Sequence, residues 1–294
     1  MRFRGTLAKD ALEVLLDVSL FFTRLGAPSC VFTVTPETLS LALKSGGDEL
    51  QSFARLQCAR LFGAGAIVQS RADNHIGFSC DVRHLHQALA SGRDGSAVML
   101  RLLKRDGRSF LCLRTRAVDI DIVQSVPIEV LAMSTVAHFR EPSVPAPQLA
   151  MEMPPLRAIR GVVERLRALH RTITVEASRR GTLRFRIDSA PLALQTLFAH
   201  LRYRADLIEP VDDDANDDDD RGGGGGRDPE RDSHSYSVTV DAKVLSKAIL
   251  VDSNSAETVL CCITENRAMV LHSILLDGFG SFTCYIPVLT PDVL

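Results

Sequence analysis

The sequence contains no tryptophan and only three tyrosines among its 294 residues. A large aromatic ligand cage is therefore not expected, and aromatic residues are not interleaved with basic ones as they are in proteins that stack single-stranded bases. Residues 11–25 are the most apolar stretch, but they include Glu13, Asp17 and Arg24 and are too few to cross a bilayer. A signal-peptide pattern is also missing at the amino end. We therefore expect a cytosolic or nuclear protein.

Recognisable catalytic and metal-binding motifs are likewise missing. The seven cysteines are never spaced as Cys-x-x-Cys, so we expect buried, reduced thiols. His84 and His86 are two residues apart in a helical segment, so their side chains point about 200° away from each other and cannot share a metal. The chain lacks the Gly-x-Ser-x-Gly, His-Glu-x-x-His and phosphate-loop patterns. We expect no catalytic residue, metal or cofactor. A nucleic-acid-processing enzyme of unrecognised type remains open as an alternative.

Charge is distributed unevenly along the chain. The formal net charge is −2, but the segment from Glu209 to Asp232 holds 11 acidic residues and 3 arginines, a net of −8. The rest of the chain therefore carries −2 − (−8) = +6. The acidic segment, which includes five consecutive glycines, cannot bury apolar surface, so we predict a disordered insertion over about residues 209–234.

An internal repeat sets the predicted architecture. The pattern predicts four helices that begin near residues 9, 82, 155 and 242, each placed between β-like runs. The helices at 82 and 242 also match locally, because Asp81-x-Arg83-x-Leu85 parallels Asp241-x-Lys243-x-Leu245. Four strand–helix–strands units in two domains are the simplest interpretation. We predict an α+β fold in which each helix packs on one face of a curved antiparallel sheet, so that the polar sides of the helices share one side of the molecule.

A proline-rich stretch divides the two halves. Residues 141–147 read Glu-Pro-Ser-Val-Pro-Ala-Pro, and each proline fixes φ and biases the residue before it away from helix. We predict a first domain over residues 1–131, a connector over residues 132–148 and a second domain over residues 149–294.

Basic residues accumulate on the polar sides of three of the four predicted helices. The third helix, after Pro155, has an apolar back and an arginine-rich front, whereas the first presents Glu13 and Asp17. A shared basic surface suits sequence-independent contact with the phosphate backbone of duplex DNA. The residues predicted to face DNA are Arg83, Arg157, Arg160, Arg167, Arg171, Lys243 and Lys247.

Several short motifs resemble a known family. They are Met1-Arg-Phe-Arg, Glu141-Pro-x-Val-Pro-x-Pro147, Met153-Pro-Pro-Leu156 with Val162-Val-Glu164, and the ending Tyr285-Ile-Pro-Val-Leu289. Together with the four repeats they resemble PCNA-type sliding clamps, and more narrowly the Hus-one subunit family of the heterotrimeric DNA-damage checkpoint clamp. The acidic-glycine insertion and the acidic first helix depart from this pattern.

The resemblance implies two PCNA-like domains with helices lining the hole of a ring and sheets outside. It implies a non-catalytic subunit that encircles duplex DNA at damage sites, promotes checkpoint signalling and recruits repair factors. The implied partners are two other PCNA-like subunits of the Rad-nine and Rad-one types, a clamp loader, repair enzymes and duplex DNA, with no cofactor and no membrane. A homotrimeric replication clamp and a plain basic DNA-binding module remain open as alternatives.

The resemblance also implies where partners bind. Subunits of the family join through edge strands, which here would lie near residues 110–115 and 197–204, and a connector covers the pocket where partners dock. The implied interface residues are Phe110, Leu111, Cys112, Leu113, Leu197, Phe198, Leu201 and Tyr203. The implied docking residues in the connector are Met133, Val136, Phe139 and Pro142.

Overall fold

The computed structural model describes residues 1–26, 28–43, 49–116, 120–189, 192–208, 234–250 and 256–289. The described part contains 17 strands and six α-helices, and every strand pairing whose register the described residues define is antiparallel. The predicted α+β fold with large antiparallel sheets is therefore confirmed. The predicted acidic insertion, apart from its last residue, lies outside the described residues.

The chain forms two compact units. The first contains the described residues of Met1–Ser143, Lys247–Val259 and Leu271–Tyr285, and the second those of Val144–Ser246, Leu260–Val270 and Ile286–Leu294. The domain boundaries predicted from the sequence remain predictions.

The first unit is built on a long antiparallel sheet. Its strands lie in the order β17-β4-β3-β2-β6-β9-β8-β7-β1-β5. Their bounds are β1 Arg2–Leu7, β2 Ser29–Val34, β3 Thr38–Leu43, β4 Gln51–Gln57, β5 Ile67–Gln69, β6 Ile76–Asp81, β7 Val98–Arg105, β8 Arg108–Arg116, β9 Asp121–Leu131 and β17 Gly280–Ile286.

Four helices belong to the first unit, namely α1 Lys9–Arg24, α2 Cys58–Phe62, α3 Val82–Ala90 and α4 Met133–Val136. The longest, α1, buries an apolar face, and Phe21 and Phe22 pack edge-on against Phe282 at ring-centroid distances of 4.3 and 5.7 Å. Such aromatic contacts add to the area term that holds helix and sheet together.

The second unit has a four-stranded sheet in the order β13-β12-β11-β14. Its strands are β11 Thr172–Ser178, β12 Thr182–Ser189, β13 Leu192–Phe198 and β14 Ser235–Asp241. A further strand, β10 Leu149–Glu152, pairs with residues 260–263 of β15 Ala256–Thr264. The remaining elements are β16 Ala268–Leu275 and the helices α5 Leu156–Leu169 and α6 Ala242–Ala248.

Two hairpin turns have the backbone conformation that their residue types favour. In the β7–β8 hairpin, Asp106 and Gly107 have φ of 48° and 79°, so both central residues adopt the positive φ of a two-residue turn. In the β11–β12 hairpin, Gly181 has φ of 78°, and a Cβ there would lie 2.3 Å from the Leu201 carbonyl oxygen. A side chain at position 181 would therefore clash with the chain that crosses the turn.

The four helices predicted from the repeat are all present. They begin at Lys9, Val82, Leu156 and Ala242, within one residue of the predicted starts. The local match between the second and fourth has a structural basis. Asp81 and Asp241 each accept a hydrogen bond at 2.8 Å from the backbone N–H two residues later, so equivalent aspartates cap α3 and α6.

Candidate nucleic-acid interface

The arginine-rich helix α5 has the predicted two-sided character. Leu156, Ile159, Val162, Val163 and Leu166 are buried, which leaves the basic residues on the remaining surface. Arg157 and Arg167 are exposed and Arg160 is half-buried. The apolar spacing thus fixes the direction in which the arginines project.

Glu164 neutralises part of this surface. Its carboxylate lies 2.7 Å from Arg167 one turn later, and it accepts a hydrogen bond from the Ser246 hydroxyl of α6. Because Glu164 is held from both sides, Arg167 is oriented before any ligand arrives.

Arg171 differs from the prediction, because it does not lie on the helix. α5 ends at Leu169, and His170 is extended with φ of −147° and ψ of 151°. The His170 Nδ1 atom lies 3.2 Å from the Thr172 N–H and can accept its hydrogen bond, which helps to end the helix locally. Arg171 is 83% exposed, and its Nε lies 3.4 Å from Asp241 Oδ2. A carboxylate 70 positions away, rather than helical periodicity, places this side chain.

A basic cleft forms where α5 ends and α6 begins. It has a volume of about 370 Å³ and is lined by residues 167–171, Ala242 and Lys243. Arg167, Arg171 and Lys243 supply positive charge, and Asp241 both pairs with Arg171 and caps the helix that carries Lys243. The structure therefore brings together three of the seven residues predicted to face DNA.

Two further predicted DNA-facing residues, Arg83 and Lys247, lie on α3 and α6. Arg83, in the first turn of α3, is 60% exposed and lies 3.1 Å from Asp81. This hydrogen bond holds the pKa of the Asp81 carboxyl below its ordinary value, so the pair stays charged at neutral pH. Lys247 is exposed on α6, one turn after Lys243.

The helix α1 keeps its acidic side chains, and one of them is used internally. Arg93, which follows α3, forms a two-point contact with Glu13 of α1, with nitrogen–oxygen distances of 3.0 and 3.2 Å. A carboxylate from an element distant in sequence thus neutralises an arginine that the sequence alone would assign to the basic surface.

The prediction that residues 110–115 form an edge strand is wrong. These residues belong to β8, which is hydrogen-bonded to β7 on one side and to β9 on the other. Leu111, Cys112 and Leu113 are buried, and Phe110 is half-buried. An interior strand has no unpaired backbone groups to offer a partner. β8 therefore cannot join a partner strand in the way that an edge strand can.

The first unit instead has an open edge along part of β9. Its residues 121–127 pair with β8, whereas β6 reaches only residues 128–131. Among the described residues, no strand pairs with the other side of residues 121–127. Ile120 and Val123 are 64% and 50% exposed at this edge.

The prediction of an edge strand at residues 197–204 holds only for its first residues. β13, which includes Leu197 and Phe198, is the outer strand of its sheet, whereas the backbone of Arg202 and Arg204 already bonds to β10. Leu192, Leu194 and Leu197 are 39%, 40% and 52% exposed, and β13 contains no charged residue. Phe198 packs edge-on against Phe185, Leu201 donates its N–H to Gly181, and Tyr203 bridges to Met151.

The predicted connector residues border a cleft in the first unit. The cleft, of about 400 Å³, is formed between residues of β2, β3 and β4 and residues 133–141. Met133 and Val136 lie on α4, Phe139 follows in a 3-10 turn, and all three line the cleft. Val136 is buried against Gly77, where a Cβ would lie 2.4 Å from its methyl group. Pro142 is half-buried and is not among the lining residues.

The cysteines, and the two histidines of α3, have surroundings typical of structural residues. The seven cysteines are all free thiols, and burial raises the pKa of Cys58 to about 11 and that of Cys284 to about 12. The Cys58 and Cys284 thiols therefore remain protonated at neutral pH. His84 faces Asp81 at 4.0 Å, whereas His86 Nδ1 lies 3.0 Å from Ser19 Oγ. Within the described ranges, no group of three or more His, Cys, Asp or Glu residues is arranged to hold a metal.

The fold and the basic helices together define the class as a two-unit α+β protein with cationic helix surfaces. Comparison with known proteins identifies the family. A protein-family model described as "Hus1-like protein" matches residues 1–290, so the chain belongs to the Hus1 family of checkpoint proteins. In the described ranges, none of its helices is long and apolar enough to span a membrane.

Curated relatives match over most of their lengths. The chain is similar to "Checkpoint protein hus1" of Schizosaccharomyces pombe, with 27% identity over 253 residues that cover 84% of this chain and 85% of the relative. It is 23% identical to "Checkpoint protein hus1 homolog" of Dictyostelium discoideum over 98% of this chain and 99% of the relative. It is 22% identical to the human "Checkpoint protein HUS1" over 99% and 100% of the two chains.

Proposed function

We propose that this chain is a non-catalytic subunit of a heterotrimeric, ring-shaped clamp that encircles duplex DNA at damage sites, promotes checkpoint signalling and recruits repair factors in the nucleus. Membership of the Hus1 checkpoint family supports this proposal. So does the placement of cationic side chains on α3, α5 and α6, one of which, α5, has its apolar side buried. The partners are two related clamp subunits of the Rad-nine and Rad-one types and a clamp loader.

In the proposed ring, the helix surfaces face the DNA. The observation that carries this step is the basic cleft, where Arg167, Arg171 and Lys243 converge. Guanidinium and ammonium groups that meet a phosphate backbone release counterions and read no bases, so binding should be salt-dependent and independent of sequence. The candidate DNA contacts are Arg83, Arg157, Arg160, Arg167, Arg171, Lys243 and Lys247.

The proposed subunit contacts use the two open edges. β13 exposes three leucines and contains no charged residue. In monomeric proteins, by contrast, charged residues, strong twist or proline usually keep an edge strand from pairing with another chain. The open part of β9 adds Val123 and Ile120. Addition of a partner strand at each edge would satisfy the backbone and cover these apolar side chains.

The cleft beside α4 is the proposed docking site for repair factors. It combines apolar lining from Phe53, Met133 and Phe139 with an exposed ion pair at its rim, where Arg55 and Glu141 lie 3.8 Å apart. A partner peptide with an apolar anchor would fill the cleft, and polar groups at the rim would fix its orientation.

The oligomeric state of the purified chain tests the central proposal. We expect a monomer that forms a stable three-subunit complex only when the two related subunits are added, as measured by light scattering after size-exclusion chromatography. A stable trimer of this chain alone would overturn the heterotrimer and favour a homotrimeric replication clamp.

Edge variants then test the subunit contacts. Leu197→Asp and Val123→Asp each place a charge on an exposed apolar edge position, and we expect each to abolish complex formation at one of the two contacts. Leu276→Asp is a matched control, since Leu276 is 40% exposed in a turn outside both edges. Intact complexes with both edge variants would remove the proposed contacts.

A circular DNA experiment separates a ring from an ordinary basic module. The assembled complex should stay on closed circular duplex and leave when the circle is cut, because a ring slides off free ends. Equal retention on circular and linear DNA would support a plain DNA-binding module instead.

A further inference from the structure

A second arginine-rich surface lies on the sheet of the first unit. In β1, Arg2 and Arg4 are exposed while Phe3, Gly5 and Leu7 are buried, so the two arginines share the solvent side of the strand. Arg101 and Arg105 lie four residues apart on β7, an even spacing that puts both on one side of the strand, and both are exposed. We call the surface formed by Arg2, Arg4, Arg101, Arg105 and Arg108 the arginine face.

The register places like charges directly opposite each other. Arg4 pairs with Arg101 between β1 and β7, and Arg105 pairs with Arg108 across the β7–β8 turn. Directly opposed residues of an antiparallel pair have Cβ atoms about 4.5–5.5 Å apart, and like charges at this distance destabilise the sheet. Among the described residues, none of the five arginines has a carboxylate partner. Asp106, in the turn, forms no ion pair with either neighbour.

Apolar side chains lie between the two arginine pairs. Leu103 pairs directly with Phe110, on the same side of the sheet as Arg101 and Arg105, and both are half-buried. Because successive residues rise by about 3.3 Å, Arg101 and Arg105 are about 13 Å apart along the strand, with Leu103 midway. Along β7, the arginine face therefore presents one arginine pair, then an apolar patch, then the second arginine pair.

We propose that the arginine face binds an extended acidic peptide segment of a partner protein, with carboxylates at positions i and i+4 and an apolar residue at i+2. An extended peptide has the same rise per residue as the strand, so its carboxylates reach the two arginine pairs while its apolar side chain covers Leu103 and Phe110. Each guanidinium can form a two-point contact with a carboxylate. Binding also relieves the repulsion between the opposed arginines.

A protein partner fits this face better than a nucleic acid does. A phosphate backbone would match the arginines but offers nothing for the central apolar pair, whereas arginine and aromatic residues are enriched at the centres of protein interfaces. The proposal does not depend on ring formation, because all five arginines and both apolar residues belong to one unit of the chain.

A fluorescence-anisotropy titration tests the proposal on the full chain. The probe is a labelled peptide, Gly-Asp-Ser-Leu-Ser-Asp-Gly, and its control carries Ser in place of Leu. We expect Arg101→Gln/Arg105→Gln to weaken probe binding by about tenfold or more, because two desolvated charge contacts are lost. The matched control Arg83→Gln/Arg93→Gln removes the same charge from arginines already paired with Asp81 and Glu13. It should change probe binding by less than about twofold.

Three outcomes would overturn the proposal. Equal loss of probe affinity in both double variants would indicate general charge attraction. Loss of duplex DNA binding, with probe binding unchanged, in Arg101→Gln/Arg105→Gln would assign the face to nucleic acid. If a chain lacking residues 211–232 binds the probe more than about tenfold tighter than the full chain, the occupant is the chain's own acidic segment rather than a partner. A wild-type circular dichroism spectrum and a cooperative thermal unfolding transition confirm that the variants are folded.

Discussion

Two sets of arginines in this protein have the same chemistry and opposite surroundings. Four arginines on or next to the helices α3 and α5 each lie beside a carboxylate, at distances from 2.7 to 3.4 Å; they are Arg83, Arg93, Arg167 and Arg171. On the arginine face, none of the five arginines has such a partner among the described residues. The helix set is therefore oriented but partly neutralised, whereas the sheet set is uncompensated. Both surfaces count equally in the net charge, but only the local partners determine which anion each can bind.

The largest expected effect tests whether the two surfaces bind different ligands. Arg157→Gln/Arg160→Gln/Arg167→Gln should weaken duplex loading by on the order of a hundredfold and lower the salt-dependence slope by about 2.7, because each lost phosphate contact contributes about 0.9. Subunit assembly should be unchanged. The measurement is loading onto circular duplex at several salt concentrations.

The matched control for this experiment is Arg101→Gln/Arg105→Gln/Arg108→Gln, which removes the same charge from the arginine face. It should leave duplex loading nearly unchanged. If the two triple variants lose loading equally, the two surfaces do not differ in function and the comparison fails.

The second prediction concerns Asp241, which links a helix cap to an arginine. Asp241→Ala should lower the free energy of unfolding by about 1 kcal/mol, because α6 loses its N-cap. Asp241→Asn keeps the cap but removes the charge that holds Arg171, so duplex affinity should rise by about twofold to fivefold with little change in stability. Denaturant unfolding and duplex titration measure the two effects. Equal stability loss in both variants would contradict the capping role.

The third prediction concerns the opposed arginines. Arg101→Gln should raise the free energy of unfolding by about 0.2–1 kcal/mol at low salt, because it removes the repulsion with Arg4. The gain should shrink at high salt, where the repulsion is screened. Arg93→Gln, in contrast, removes an attractive contact with Glu13 and should not stabilise the protein. A destabilising Arg101→Gln would show that Arg101 has a compensating partner.

The smallest expected effect is a pH dependence at Asp81. The hydrogen bond from Arg83 lowers the pKa of the folded-state carboxyl relative to the unfolded chain, where an aspartate has a pKa of about 3.9. The stabilisation is therefore complete above the unfolded pKa and is lost as pH falls through the folded pKa. NMR titration of the Asp81 carboxyl should give a value below about 3.9. In Arg83→Gln the value should rise, and no rise would show that Arg83 does not hold the carboxyl.

Much of the fold follows from local patterns. The apolar spacing of α5, the aspartate caps of α3 and α6, and the positive-φ turns at Asp106–Gly107 and Gly181 all depend on residues within a few positions of one another. These features were predictable because hydrogen bonds and steric limits inside one element are set by its own residues.

The position of strands within a sheet was not predictable in the same way. β8 has the composition of a strand whether it lies at an edge or in the interior, and only its pairing with both β7 and β9 makes it interior. The arginine face was also missed. The alternation in β1 was visible, but the placement of Arg4 opposite Arg101 depends on the register of two strands almost 100 positions apart.

The sequence by itself determined the elements, their order, the internal repeat and the positions of charge along each helix, because these depend on neighbours in the chain. Only the tertiary structure decided which arginines meet a carboxylate. Glu13 reaches Arg93 across 80 positions and Asp241 reaches Arg171 across 70, whereas Arg4 and Arg101 meet each other. The physical reason is that the electrostatic environment of a side chain is set by the groups within a few ångströms of it, and folding brings those groups from distant parts of the chain.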